Sequence, residues 1–92
     1  MATANVIPVT NSLLRISTVQ QLTGYGRTTI YRKIKAGLMT KPVKIGGDRV
    51  ALPANEVQAI NQARIAGKTD DEIKQLVKDL EAARTQTTEA GV

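Results

Sequence analysis

Histidine, cysteine, phenylalanine and tryptophan are absent from this sequence of 92 residues, and tyrosine occurs only twice. Without cysteine, the chain can form no disulfide and offers no thiolate. Without histidine, it lacks the commonest general base and the commonest metal ligand in proteins. We therefore expect no enzymatic activity, no catalytic residue, no metal site and no cofactor. We expect a core built from leucine, isoleucine, valine and alanine.

Long apolar runs are also absent from the sequence. No stretch approaches the roughly 18 apolar residues that a membrane-spanning helix requires. The N-terminus has no basic segment followed by an apolar one, which is the pattern of a secretion signal. The length suits one small domain, and such a domain is only marginally stable alone. These features predict a cytoplasmic protein with no membrane partner.

Acidic residues are scarce in the first half of the chain. Residues 13–50 carry eight basic side chains and a single acidic one, Asp48, whereas residues 51–92 carry five basic and seven acidic side chains. The formal net charge of the whole chain is +5. A basic half beside a near-neutral half indicates one charged working face. This distribution favours a face that binds a polyanion. The alternative is charge that only keeps the protein in solution.

Two short helices joined by a tight turn are predicted in the basic half. Ser17 is a candidate N-cap for a helix over 18–23, which a glycine ends. A second helix is predicted over 27–36, because Ile30 and Ile34 lie one turn apart on the same face. Two helices with a glycine-containing turn between them form a helix-turn-helix, whose second helix can enter the major groove of DNA.

The outward face of the second helix is the candidate binding surface. Thr28, Arg32 and Lys35 lie roughly opposite the two isoleucines, with Thr29 nearby. Hydroxyls and cations of this kind bond base edges and phosphates. The alternative from the residues alone is a generic pair of helices with a solvated basic face, and the pattern leaves that alternative open.

A β-hairpin is predicted after the second helix. Two glycines separate two short apolar runs, and glycine supplies the positive φ that hairpin turns require. The apolar residues of the two runs are Val43, Ile45, Val50 and Leu52. Pro53 suits the first turn of a third helix, because its missing N–H would have no partner there.

The last predicted helix begins at a capping box. Thr69 and Glu72 can satisfy each other's backbone N–H groups at a helix start. An amphipathic stripe follows, made of Ile73, Leu76, Val77 and Leu80. The stripe has two interpretations: it packs on the chain's own domain, or it pairs with a second copy of the chain.

These segments predict four regions. Residues 1–12 form a flexible arm, residues 13–66 a DNA-binding domain, residues 67–84 an amphipathic helix, and residues 85–92 a flexible tail.

Several of these segments resemble the AlpA family of phage regulatory proteins and the related MerR-like excisionases. The resemblance is carried by residues 14–24 and 27–37, by the Lys-Pro hairpin over 41–46 with Arg49 behind it, and by the helix over 52–60 that follows. It covers about 13–60. The sequence departs from the family pattern at two positions. Leu52 stands where an aromatic residue is common, and Gly26 stands where a serine often precedes the recognition helix.

The resemblance implies a mainly α fold with a small β-hairpin. This is a winged helix-turn-helix of the MerR-like type, here followed by a C-terminal amphipathic helix. It also implies that Thr28 and Arg32 read bases, with Thr29 on the same surface. By the same resemblance, phosphates are held by Arg27, Tyr31 and Lys35, and the wing contributes Lys44 and Arg49.

By the same resemblance, the protein acts in a bacterium or its phage, associated with the nucleoid, as an excisionase of a prophage or integrative element. It would assist a site-specific integrase by binding and bending attachment-site DNA, with several copies on the DNA. An alternative is a transcriptional regulator that binds the promoter of excision genes. A second alternative is a protein-interaction module, an adaptor or an antitoxin, that acts through the C-terminal helix.

Overall fold

The structure is a computed structural model that describes the backbone of residues 12–90 and the side chains of residues 12–85. Four helices and three short strands follow one another in the order β1 Leu13–Leu14, α1 Ile16–Thr23, α2 Arg27–Lys35, β2 Val43–Gly46, β3 Arg49–Pro53, α3 Ala54–Ile65 and α4 Asp70–Ala90. This architecture confirms the predicted fold class, which is mostly helical with a small sheet and a winged helix-turn-helix.

The sheet has three antiparallel strands in the order β1-β3-β2. The hairpin of β2 and β3 was predicted, but β1 was not, because a strand of two residues has no periodic pattern. Leu14 of β1 pairs with Leu52 of the central strand β3. The predicted arm over residues 1–12 lies outside the described residues except for Ser12. The carbonyl of Ser12 accepts a hydrogen bond of 2.7 Å from the backbone N–H of Ala54, so this residue belongs to the domain.

The burial pattern of the hairpin differs from the predicted alternation. Ile45 is exposed, whereas the neighbouring residues Ala51 and Leu52 are both fully buried. Successive residues of a strand point to opposite faces, so both faces of β3 are covered. The register of β2 also shifts between Lys44 and Gly46, and a shift of one residue moves a side chain to the other face.

Helix α1 begins earlier than predicted. Its N-cap is Arg15, which makes no capping hydrogen bond through its side chain, and Ser17 lies within the first turn. The predicted cap is therefore wrong. Ile16 is buried in the core, and we attribute the earlier start to this packing. The predicted end is confirmed, because Gly24 has a φ of 79° and lies in the left-handed region, which glycine enters without steric cost.

The core joins all four helices to β3. Its buried members are aliphatic residues and one methionine: Ile16, Val19, Ile30, Leu38, Met39, Leu52, Val57, Ile60, Ile73 and Val77. Ile34 packs against this cluster with part of its surface exposed. The predicted inner face of α2 is therefore correct, although only Ile30 is fully buried.

Helix α4 begins at the predicted capping box. The backbone N–H of Thr69 donates to Oε1 of Glu72 over 2.8 Å, and the N–H of Glu72 donates to Oγ1 of Thr69 over 3.1 Å. Hydrogen bonds from the backbone N–H and the side chain of Thr69 to the carboxylate lower the pKa of Glu72. The helix then continues to Ala90, past the predicted start of a loose tail at residue 85. No glycine or proline occurs before Gly91 to end it.

The stripe of α4 packs on the chain's own domain. Ile73 and Val77 are buried in the core, and Leu76 and Leu80 are partly buried against it. This favours the first of the two interpretations given above. Pairing with a second copy through these residues would require α4 to leave the domain, because a core residue cannot serve two partners at once.

An ion pair links α4 to α3, and a hydrogen bond from the same arginine links α4 to the segment before β2. Nε and Nη2 of Arg84 donate to the carboxylate of Glu56 over 2.8 and 2.6 Å, and Nη2 also donates to the carbonyl of Lys41 over 2.7 Å. Glu56 is buried, and its hydrogen bonds raise the pKa of Arg84. Glu81 accepts from the backbone N–H of Lys41 over 2.8 Å. Helix α4 therefore holds the segment that leads into the hairpin.

Candidate nucleic-acid interface

Helix α2 presents the predicted binding face to the surface of the molecule. Thr28, Arg32 and Lys35 are exposed, and Thr29 is half-buried beside them. The helix has nine residues, which gives a length of about 13 Å at 1.5 Å per residue. The major groove of B-DNA is about 12 Å wide, which admits a helix with its side chains, about 10–12 Å in diameter.

The side chain of Thr23 links the end of α1 to the turn that precedes α2. The hydroxyl of Thr23 donates to the carbonyl of Val19 over 2.7 Å and accepts from the backbone N–H of Tyr25 over 3.2 Å. Helix α2 then starts at Gly26, an N-cap without a side-chain hydrogen bond. These contacts fix the direction in which α2 leaves α1, and so the orientation of its exposed face.

Tyr31 lies at the edge of this face, where the sequence left its role open between packing and a phosphate contact. Its side chain is 38% exposed. The guanidinium of Arg27 lies 5.5 Å from the centroid of its ring, which is within the range of a cation–π contact. The ring therefore holds the cation of Arg27 near the start of α2, in a contact between residues one helical turn apart that was not predicted from the sequence.

The hairpin carries the two predicted wing residues on its surface. Lys44 in β2 and Arg49 at the start of β3 are both exposed. The turn between the strands contains Gly47, whose φ of 54° lies in the left-handed region. The predicted dependence of this turn on glycine is confirmed at that position.

One cleft brings together side chains from the helix-turn-helix and the wing. It has a volume of about 320 Å³ and is lined by Arg15, Ile16, Ser17, Arg27, Asp48, Arg49 and Val50. Two of its three arginines, Arg27 and Arg49, were predicted as binding residues. Arg15 was missed. In the sequence, Arg15 is only a positive charge directly before a helix. It becomes part of the cleft because the wing folds beside it.

In the described part of the chain, no ion pair neutralises the basic side chains of α2 and the hairpin. Within the described part of the chain, the ion pairs are those of Arg64 with Asp70 and of Arg84 with Glu56. Both lie outside α2 and the hairpin. The cations of this region therefore remain available to an external anion.

Comparison with known proteins adds the family. A family model described as the prophage CP4-57 regulatory protein (AlpA) matches residues 12–65. The chain belongs to this family. The match extends from β1 to the end of α3, so α4 lies beyond it. The family is one of DNA-binding regulators rather than enzymes.

A protein of Enterobacteria phage P4, described as the uncharacterized protein ORF88, is 42% identical over 55 residues. The matched region is 60% of this chain and 62% of that protein, which is less than two thirds of its length. No solved structure matches the chain. Among the described residues, none of the helices is long and apolar enough to cross a membrane.

Proposed function

We propose that the protein recognises a specific sequence of double-stranded DNA through the exposed face of α2. The observation that carries this proposal is that the face combines hydroxyls and cations, has no acidic residue between Arg27 and Lys35, and has no internal ion-pair partner in the described structure. Side chains of this kind on a helix that fits the major groove are those that read DNA directly.

The individual roles follow from the position of each residue. Thr28 and Arg32, on the outermost part of α2, contact base edges, with Thr29 beside them. Arg27, Tyr31 and Lys35 contact phosphates on either side of the groove. The wing residues Lys44 and Arg49 contact the neighbouring backbone or minor groove. Contacts to phosphate set the register of the protein on the duplex, whereas contacts to bases carry the specificity.

The biological output that we propose is excision of the prophage or integrative element that encodes the protein. The protein binds the attachment site and bends it, and thereby assists a site-specific integrase. Several copies act together, because one short helix makes few base contacts and copies held together on adjacent sites bind more tightly than one copy alone. The family of prophage regulatory proteins supports an element-encoded role of this kind.

Control of transcription is the second candidate output. The description of the matching family as a regulatory protein favours it. Both outputs would use the same DNA-binding face, so the surface does not separate them. The third possibility, an adaptor or antitoxin that acts through α4, is less well supported, because the apolar stripe of α4 packs on the domain.

The test is a gel-shift titration with DNA from the encoding element, with unrelated competitor DNA and with salt varied. We expect competitor-resistant binding in a ladder of discrete bands at an attachment site. Excision by the integrase in the presence and absence of the protein then tests the first output, and a promoter fusion tests the second. Binding that is equal for all sequences and lost at moderate salt would contradict sequence-specific recognition.

Two variants separate base reading from phosphate contact. Arg32→Ala is expected to cost roughly 1–3 kcal/mol of binding free energy and to relax the preference at one base position. Lys35→Ala is the matched control on the same helix. It should weaken binding to all sequences alike and lower the salt slope by about one. If both variants lose affinity equally for every sequence, Arg32 does not read a base.

A further inference from the structure

We propose that the cleft between the wing and the helix-turn-helix, lined by Arg15, Arg27 and Arg49, binds a single phosphodiester group of the DNA backbone. The proposal rests on the proposed function, because the phosphate belongs to bound DNA. It adds Arg15 to the binding surface, and it assigns to the three arginines one shared ligand instead of three separate ones.

The arginines come from three different elements. Arg15 precedes α1, Arg27 is the first residue of α2, and Arg49 is the first residue of β3. All three are exposed at the cleft. Such a convergence of like charges is unfavourable in the free protein and becomes favourable when an anion enters. Arginine suits this role, because its planar guanidinium matches the geometry of a phosphate and donates two parallel hydrogen bonds to it.

No internal counter-ion satisfies the three guanidinium groups. Asp48 is the one acidic residue that lines the cleft. Neither Asp48 nor any other carboxylate in the described part of the structure forms an ion pair with these arginines within 4.0 Å. The contact of Arg27 with the ring of Tyr31 does not consume its hydrogen-bonding capacity, since a guanidinium that contacts a ring through its face keeps its N–H groups for other partners. The cleft therefore retains an excess of two positive charges.

The start of α1 adds a second source of positive potential. Ile16 and Ser17, its first two residues, line the same cleft. The first backbone N–H groups of a helix have no carbonyl partner within the helix and carry the positive end of its dipole. The amides alone would not define a site, but they add to the positive potential that the three arginines create in the cleft.

A shared phosphate has a consequence that separate contacts lack. Because Arg49 belongs to the wing and Arg27 to the recognition helix, one phosphate held by both fixes the wing relative to α2. All three arginines should then be sensitive to the same phosphate of the duplex. If the three arginines made independent contacts, each would instead be sensitive to a different phosphate of the duplex.

The experiment measures affinity for duplexes in which one phosphate at a time is replaced by an uncharged methylphosphonate. For the wild-type protein, we expect one position at which the replacement weakens binding about tenfold, as for the loss of a charge-assisted contact. In Arg15→Gln, Arg27→Gln and Arg49→Gln, replacement at that position should weaken binding less than in the wild type, because one of the three cations is gone, whereas all other sensitive positions keep their effect. Lys68→Gln, which removes one exposed charge from the turn between α3 and α4, is the matched control and should keep the wild-type profile.

The slope of log affinity against log salt on random-sequence duplex is a second readout that needs no specific site. The variant in which Arg15, Arg27 and Arg49 are all replaced by glutamine should lower its magnitude by about 0.9, the value for one phosphate contact, and Lys68→Gln should leave it unchanged. If the wild type shows no sequence preference but this triple variant still lowers the slope, the phosphate site stands and the proposed sequence-specific function fails. If the triple variant keeps the wild-type slope and Arg15→Gln keeps the wild-type methylphosphonate profile, the phosphate site is refuted. Three arginine variants that each lose sensitivity at a different phosphate would refute the shared site.

Discussion

Replacing Arg84 by methionine tests whether the ion pair between Arg84 and Glu56 stabilises the packing of α4 on the domain. The variant leaves the carboxylate of Glu56 in place, and that side chain is only 3% exposed. It loses both hydrogen bonds from Arg84, at 2.6 and 2.8 Å. Removing one partner of a buried ion pair typically costs 3–5 kcal/mol, because a buried charge is left uncompensated. Water can reach this site, since the side chain of Arg84 is 26% exposed, so we expect the lower end of that range.

The expected loss is therefore about 3 kcal/mol of unfolding free energy. For a domain of this size, each kcal/mol corresponds to roughly 4–8 °C in Tm. Urea denaturation followed by circular dichroism measures the change. The double variant Glu56→Met with Arg84→Met removes both charges and should lie within about 1 kcal/mol of the wild type. Asp70→Asn, which breaks the exposed pair with Arg64, is the control and should cost at most about 1 kcal/mol.

Two results would refute this reasoning. If the free energy of unfolding of Arg84→Met lies within about 0.5 kcal/mol of the wild-type value, the buried carboxylate of Glu56 does not need Arg84 for the stability of the fold. If the double variant is as unstable as Arg84→Met, the loss comes from the missing arginine itself, through its packing or its contact with the carbonyl of Lys41, and not from an unpaired carboxylate.

Three further predictions concern single side chains. Tyr31→Phe should weaken DNA binding by about 0.5–1.5 kcal/mol through loss of the hydroxyl, and Tyr31→Leu by about 0.5–1 kcal/mol more through loss of the ring beside Arg27; equal affinity of Tyr31→Phe and the wild type in titration would exclude a phosphate contact by the hydroxyl. Thr40→Val should stabilise the fold by about 1 kcal/mol in thermal unfolding, because the buried hydroxyl has no hydrogen-bond partner in the described structure; a destabilised variant would reveal a partner. Hydrogen bonds lower the pKa of Glu72 below its ordinary 4.5, so its stabilising contribution is present above that pH and lost as the pH falls through the lowered value. Glu72→Gln should therefore flatten the dependence of Tm on pH between about 5 and 3, and a slope identical to that of the wild type would show that the carboxylate does not contribute.

Elements encoded in short windows were predicted well. The helices on either side of Gly24, the glycine-dependent hairpin turn and the capping box at Thr69 depend on contacts between residues a few positions apart. The hydrogen bonds between Thr69 and Glu72 join residues three positions apart, and a local bond of this kind forms whatever the rest of the chain does. The exposed face of α2 could be predicted for the same reason, since helical geometry alone puts Arg32 opposite the buried Ile30.

Errors arose where burial decided the outcome. Ser17 has the chemistry of an N-cap, but packing of Ile16 into the core moved the start of α1 to Arg15. Ile45 is one of the apolar residues of the hairpin pattern, but it is exposed in the shifted register, and Ala51 of the central strand β3 is buried instead. At the start of α1, a capping preference of about 1 kcal/mol competed with burial of Ile16, and burial of such a side chain contributes about 1.5–3 kcal/mol.

The sequence by itself determined that the protein has a helix-turn-helix with a basic outward face. These properties depend on composition and on spacings of three or four residues. Only the tertiary structure decided which cations share a site and which are paired. It brought Arg15, Arg27 and Arg49 to one cleft, and it paired Arg84 with Glu56 across 28 positions. The physical reason is that the sequence gives the sign of each charge but not the group that lies next to it in the fold. Its partner is set by how the apolar core packs the elements that carry the two groups.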